Sequence, residues 1–265
     1  MVETKKPKVV ILAGGMGMRM REETEYRPKP MVLVGRHPIL WHIMKSYMHF
    51  GFNDFIICLG YKGEMIKEYF LNYEAFNNDL TMTFGKKCST RVHKREKFDD
   101  FTVTLADTGQ EAMTGGRLLA VEKFIDSDDF MLTYGDGVSN IDIRNLYAFH
   151  KAHKKTGTVT GVHPDSRFGE LYIKGDTVEK FSEKQQVKDG FINGGFFVFN
   201  KSFFKYLKKH DDCFLEQEPM RDLTKDKGLN VFKHEGFWQC MDTAKDVKYL
   251  NDLWEKGNAP WKVWK

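Results

Sequence analysis

The chain has 265 residues, a formal net charge of +4 and 14% aromatic residues, which suffices for a sizeable core in one α/β domain with insertions. So mild a basic balance, without a patterned basic face, argues against nucleic acid as a partner and suits a small anionic substrate. No stretch approaches the ~20 apolar residues of a membrane span, the start MVETKKPK carries no apolar leader, and Cys58, Cys88, Cys213 and Cys240 form no CxxC pair, so a soluble cytoplasmic protein with free thiols and no membrane partner is expected.

Val9 to Leu12 has the length and β-branched content of a strand buried on both faces. Gly14, Gly15 and Gly17 follow at once, and the missing side chains let consecutive backbone N–H groups converge on an anion. Arg19 adds a fixed positive charge, and Lys29 stands in an Arg-Pro-Lys-Pro segment whose prolines stiffen the backbone that carries it. The stretch suits a triphosphate cradle; a bare tight connection is the plainer alternative. Two other phosphate loops are excluded, because no Gly-Lys-Ser/Thr occurs and Met20 stands where a dinucleotide fingerprint needs its third glycine.

Ile39, Leu40, Ile43, Met44, Tyr47 and Met48 fall at helical spacing before Gly51. A second buried strand is expected over Phe55 to Leu59 and a helix from Glu64 to about Tyr73. Strand, helix, strand, helix implies parallel strands with crossover helices, and ligands bind beyond the carboxyl ends of such strands. Thr81 to Leu105 is less regular. Lys86, Lys87, Arg91, Lys94, Arg95 and Lys97 there suit a solvated loop, the sharper alternative being an interface loop or an anion-steering flap.

Phe101 to Leu105 reads as a strand, and Gly115 and Gly116 precede a helix beginning near Arg117, a place where free N–H groups meet polar ligands. Phe130 to Tyr134 reads as a strand running into Gly135-Asp136-Gly137. Packing explains an acid between two glycines poorly, which favours a metal ligand over a turn cap at Asp136. Ile141 to about Lys155 reads as a surface helix with His150 and His153 facing solvent. The runs TVTGVH, GELYI and DTVEKFSEK suggest a meander. In FINGGFFVFN, the Asn193-Gly194-Gly195 interruption marks a bulge or a close approach to a substrate whose hydroxyls Asn193 bonds. Helices are expected near Lys201 to Lys209, Glu216 to Lys227 and Lys245 to Trp254, with strands at Leu229 to Lys233 and Phe237 to Met241. Asp242 then occupies a position like that of Asp136, and the tail GNAPWKVWK suggests docking on the chain itself or on a neighbouring subunit.

LAGGMGMR followed by RPKPM resembles the signature of the sugar-phosphate nucleotidyltransferases, and PILWHIMK, GYKG with IKEYF, DTG with MTGGR, YGDGVS, INGGFF, GFWQ with MDT and APWKVW extend the likeness nearly end to end. The resemblance implies one α/β domain over 1–265: a Rossmann-like mixed, mostly parallel sheet flanked by helices, with a smaller β excursion over the sugar site. Residues 9–157 would form the nucleotide-binding half, 158–243 the sugar-phosphate half, and 244–265 a closing helix and aromatic tail. It also implies Mg²⁺-assisted in-line attack of α-D-glucose 1-phosphate on CTP, giving CDP-glucose and pyrophosphate. A homo-oligomer is implied too, since the family forms hexamers.

By the same resemblance, Leu12, Ala13, Gly14, Gly15, Gly17, Met18 and Arg19 hold the nucleotide and pyrophosphate, and Lys29 neutralises the α-phosphate and leaving group. Gly115, Gly116, Arg117 and Gly135 lie near the nucleotide. Asp136 and Asp242 bind Mg²⁺, while Glu183, Lys184, Asn193 and Gly194 form the sugar-phosphate pocket, with Arg19, Lys29, Asp136 and Lys184 the catalytic set. The attacking oxygen is already ionised at neutral pH, so no general base is needed. The family usually has a small hydroxyl residue at Met18, threonine at Ala112, Gly-Lys at Arg36-His37 and proline at Gln185. These departures leave room for a sibling enzyme with another nucleotide or sugar phosphate, or for a silent sugar-nucleotide-binding protein.

Overall fold

The computed structural model describes residues 5–93, 99–163, 170–174, 177–182, 190–209 and 211–264. Seven strands form the central sheet: β1 (Val9–Leu12), β2 (Asp54–Leu59), β3 (Thr102–Asp107), β4 (Asp129–Tyr134), β5 (Gly157–Val162), β6 (Ile192–Asn200) and β7 (Leu229–His234). Their order across the sheet is β7-β5-β6-β4-β1-β2-β3. All neighbours run parallel except that β6 is antiparallel to both β4 and β5. This is the expected mixed, mostly parallel sheet.

Alternation along the strands builds two apolar layers. Val9, Ile11, Phe55 and Ile57 face one, with Leu40, Ile43 and Tyr47 of α1 (Ile39–His49), Ile66 of α2 (Gly63–Leu71), Leu146 of α4 (Ile143–His153) and Leu250 of α6 (Ala244–Glu255). Val10, Leu12, Ile56 and Cys58 face the other, with Leu118 of α3 (Thr114–Ala120) and Leu223 of α5 (Glu218–Lys225). The layers explain why β1 is apolar at every position: it lies mid-sheet and is covered on both sides.

Several elements depart from their sequence reading for local reasons. Helix α3 starts at Thr114, so Gly115 and Gly116 lie inside its first turn. A Cβ at Gly115 would stand 2.6 Å from Cys213 Sγ, and it is this close packing that requires glycine. The segment after β6 is a 3-10 turn over Lys201–Tyr206, not a helix reaching Lys209. Helix α5 starts only at Glu218, where Pro219 occupies its first turn. The irregular stretch contains an exposed hairpin, Asp79–Thr83 with Ser89–His93, where a solvated loop was expected. Lys86, Lys87 and Arg91 on it are exposed, whereas Lys94, Arg95 and Lys97 lie outside the described residues. A second hairpin pairs Glu170–Lys174 with Thr177–Ser182. His150 is buried rather than surface-facing: its Nδ1 lies 2.8 Å from Thr158 Oγ1 on β5 and its Nε2 3.7 Å from Asp129 Oδ1, because α4 packs down on the sheet.

All four cysteines are free thiols. The aromatic tail docks on its own chain. Trp261 is buried against Phe237 and Trp254, and its indole N–H donates to Nδ1 of His42, 3.3 Å away. His42 Nε2 lies 2.9 Å from the Val34 carbonyl, so Nε2 must carry the proton and the ring is held neutral. Burial pushes its pKa down to about 4. Because this lies below the unfolded value, the unfolded chain binds more protons between pH 6.5 and 4, and stability falls as pH drops through that window, by up to roughly 3 kcal/mol. Urea midpoints of the protein and of His42→Gln, compared at pH 7 and pH 4.5, should show a smaller acid loss in the variant; equal losses would remove His42 as the cause.

Candidate active site

The carboxyl ends of β1 and β4 open into a cavity of about 610 Å³, lined by the glycine loop, Lys29, Tyr134 to Asp136, Gln110 to Thr114, Arg117, Phe214 and Asp242. Leu12 and Tyr134 are register partners at the ends of those strands, which places the glycine loop beside Gly135 and Asp136. Ala13 N–H bonds the Cys58 carbonyl and Met20 N–H the Gly17 carbonyl, but the Gly14 to Gly17 amides make no hydrogen bond among the described residues. Gly17 turns the chain at φ 62, and a Cβ at Gly15 would meet nothing within 4 Å. Open amides of this kind are able to receive an anion. Met18 is 68% exposed on the cavity wall, and Ala112 is buried in the opposite wall.

Asp242 reaches Asp136 through a small antiparallel ladder. Trp238–Cys240 pairs with Gly137–Ser139, Cys240 opposite Gly137, and Met241 N–H then donates to the Asp136 carbonyl at 2.8 Å. Thr243 caps α6 in a capping box with Asp246, whose Oδ2 also accepts the Asp242 N–H at 3.0 Å. The Asp242 backbone is thus fixed on both sides.

Between the two acids lies Lys29. Its ammonium donates to Asp136 Oδ2 at 2.5 Å and to Asp242 Oδ1 at 2.6 Å, while Arg19 reaches Asp242 Oδ2 at 2.8 Å. Burial works to lower the Lys29 pKa, but the Asp136 charge and the hydrogen bonds to both acids outweigh it and leave the pKa raised. Arg19 is 74% exposed. Two carboxylates aimed at one ammonium are placed to share one cation. Cys240 Sγ lies with them, the three ligand atoms all within 4.8 Å of one another. Burial and the neighbouring acids push that thiol's pKa up; the two carboxylates offer hard oxygens, which fit a divalent cation of oxygen preference.

The remaining expected residues divide. Gly115 and Gly116 donate to the Cys213 carbonyl rather than to the cavity. Arg117 lines the cavity but spends its guanidinium on protein acceptors, including the Gly14 carbonyl at 3.0 Å. Asn193 Oδ1 accepts the Gly195 N–H, its Nδ2 lies 3.4 Å from Tyr134 Oη, and the Gly194 carbonyl accepts the Trp238 indole N–H. Glu183, Lys184 and Gln185 lie outside the described residues. His37 stacks on Trp41 in the tail cluster.

Sequence reasoning missed one polar bridge. Glu216 accepts from Tyr134 Oη at 2.5 Å and from Thr114 Oγ1 at 2.7 Å, tying the end of β4 to the start of α3. Tyr134 had no signal beyond its place at the end of a strand, and Glu216 resembled the start of an ordinary helix.

The family model described as nucleotidyl transferase matches residues 8–256. The chain is similar to glucose-1-phosphate cytidylyltransferase of Salmonella typhimurium, 50% identical over 97% of this chain and 99% of that one. It is also similar to mannose-1-phosphate guanyltransferase of Neurospora crassa, 28% identical over 95% of this chain and 66% of that one. Among solved structures, UDP-glucose pyrophosphorylase with UDP-glucose shares the fold at a TM-score of 0.66 and 14% identity, covering 96% of this chain and 100% of that one. The chain belongs to the nucleotidyl transferase family.

Proposed function

We propose that the protein joins CTP and α-D-glucose 1-phosphate into CDP-glucose and releases pyrophosphate. The choice of substrates is carried by the 50% identity to a glucose-1-phosphate cytidylyltransferase over 97% of the chain. The geometry supports the reaction class, since in-line phosphoryl transfer needs chiefly positioning and charge neutralisation. An oxygen of the sugar phosphate, ionised at neutral pH, forms the new bond to the α-phosphorus as the bond to pyrophosphate breaks. The Gly14 to Met18 backbone and Arg19 hold the triphosphate, and Lys29 neutralises the α-phosphate and the leaving pyrophosphate. Asn193 and Gly194, with Glu183 and Lys184, bind the sugar phosphate, so residues 9–157 handle the nucleotide and 158–243 the sugar. Asp136 and Asp242 would hold Mg²⁺, which supplies positive charge for the phosphate oxygens when bound.

The protein is further proposed to self-associate. Phe84 is 78% exposed, and Leu71, Phe76 and Met82 are exposed on the same excursion of the chain. That much apolar surface on one segment favours a partner, and a two-stranded hairpin gains stability when something covers it. Among the described residues no helix is long and apolar enough to cross a membrane.

Pyrophosphate release, measured over a matrix of nucleoside triphosphates and sugar 1-phosphates, should require CTP, glucose 1-phosphate and a divalent cation together. Release with another pair would keep the class and change the substrates. Asp136→Ala and Asp242→Ala should each cut turnover at least about 100-fold, and near-normal rates in both would sink the metal assignment. A hydroxyl at position 18 is a missing donor worth about 1.5–3 kcal/mol, so Met18→Thr should raise kcat/KM for CTP about tenfold or more; an unchanged value would mean that the loop amides suffice. In light scattering the protein should run as an oligomer and Met82→Lys with Phe84→Lys as a smaller species; a monomeric parent protein overturns the self-association.

A further inference from the structure

Arg117 stands on α3 in the wall of the cavity and is only 4% exposed. Its Nη1 donates to the carbonyls of Leu59 (3.0 Å) and Gly109 (2.7 Å) and to Thr108 Oγ1 (2.9 Å). Its Nη2 donates to the carbonyls of Gly14 and Gln110, both at 3.0 Å. Two Nη groups carry four N–H donors and face five acceptors, so neither has a proton left for a phosphate.

The acceptors come from both sides of the cleft. Gly14 belongs to the anion cradle, Gly109 and Gln110 lead into the opposite wall, and Leu59 ends β2 between them. Two glycines make room for the guanidinium: a Cβ at Gly14 would lie 2.2 Å from Nη1, and one at Gly60 would lie 2.3 Å from it. Among the described residues no carboxylate is salt-bridged to Arg117. The cost of burying the charge is met in part by carbonyl dipoles, with support at longer range from the Asp107 and Glu111 charges.

We infer that Arg117 is a positioning residue that sets the width of the nucleoside triphosphate cleft by holding the Gly14 carbonyl and the Gly109–Gln110 carbonyls on one planar fork. It acts through these carbonyls without touching the ligand. That a nucleoside triphosphate fills the cleft rests on the proposed function; the strut itself does not.

Arg117→Lys separates the two roles, because it keeps the charge and loses the planar fork. Hydrogen exchange in the ligand-free protein should rise at least about fivefold at the hydrogen-bonded amides that flank the fork, Ala13 on one side and Thr108, Gly109 and Met113 on the other, and stay unchanged in α1. The KM for CTP should rise about tenfold, as expected when a fork of hydrogen bonds is replaced by a point charge, with the KM for glucose 1-phosphate within about twofold. Unchanged exchange on both sides overturns the strut. So does an Arg117→Lys enzyme with the parent KM for CTP beside a weakened Arg117→Met, since charge alone would then suffice. If the unaltered protein fails to bind CTP, the proposed function falls, while the exchange measurement still decides the role of Arg117.

Discussion

One ammonium between two carboxylates organises this molecule. Asp136 and Asp242 are like charges that would repel at this separation, and Lys29 holds them together from a turn stiffened by Pro28 and Pro30. Each residue of the trio arrives by a different device: Asp136 on the turn after β4, Lys29 on the 3-10 turn following the cradle, Asp242 on a two-stranded ladder closed by a helix cap. The sheet supplies the platform, since β1 and β4 are parallel neighbours whose carboxyl ends open on the same side. In the proposed reaction this charge cluster would be rearranged by substrate, with Lys29 exchanging carboxylate partners for phosphate ones.

The fold was legible in the sequence wherever a single period dominated. Val9 to Leu12, Phe55 to Leu59 and Phe130 to Thr133 are buried on both faces, so their largely apolar runs identify them directly. The hairpin of Asp79–Thr83 and Ser89–His93 was overlooked although Leu80 and Met82 alternate in its first strand, because both strands are exposed and adjoin a charge-rich stretch. His150 was misread for a related reason: a buried histidine satisfied by Thr158 and Asp129 looks in sequence like a solvated one.

The glycines teach a second lesson about legibility. Those at 14, 15, 17, 115 and 116 all resemble ligand loops in one dimension, yet packing separates them. Gly15 faces open cavity, Gly17 makes a turn, Gly14 clears Arg117 and Gly115 clears Cys213. Whether a missing Cβ makes room for a ligand or for a neighbouring side chain depends on contacts from distant segments, which spacing cannot reveal. Asp136 and Asp242 were readable as a pair because each follows an apolar run, but the Tyr134–Glu216–Thr114 bridge joins three unremarkable positions.

The late arrival of Asp242 and Trp261 bears on how the protein is made. Both fall in about the last tenth of the chain, while the surfaces they complete, beside Asp136 and over His42 of α1, are synthesised much earlier. Domains tend to consolidate from the N-terminus during translation, so the emerging sheet holds Asp136 and Lys29 with one acid missing and the His42 side of α1 uncovered. The cleft and its covering are finished by the same final segment, and a truncated polypeptide therefore lacks both its full charge cluster and its C-terminal seal.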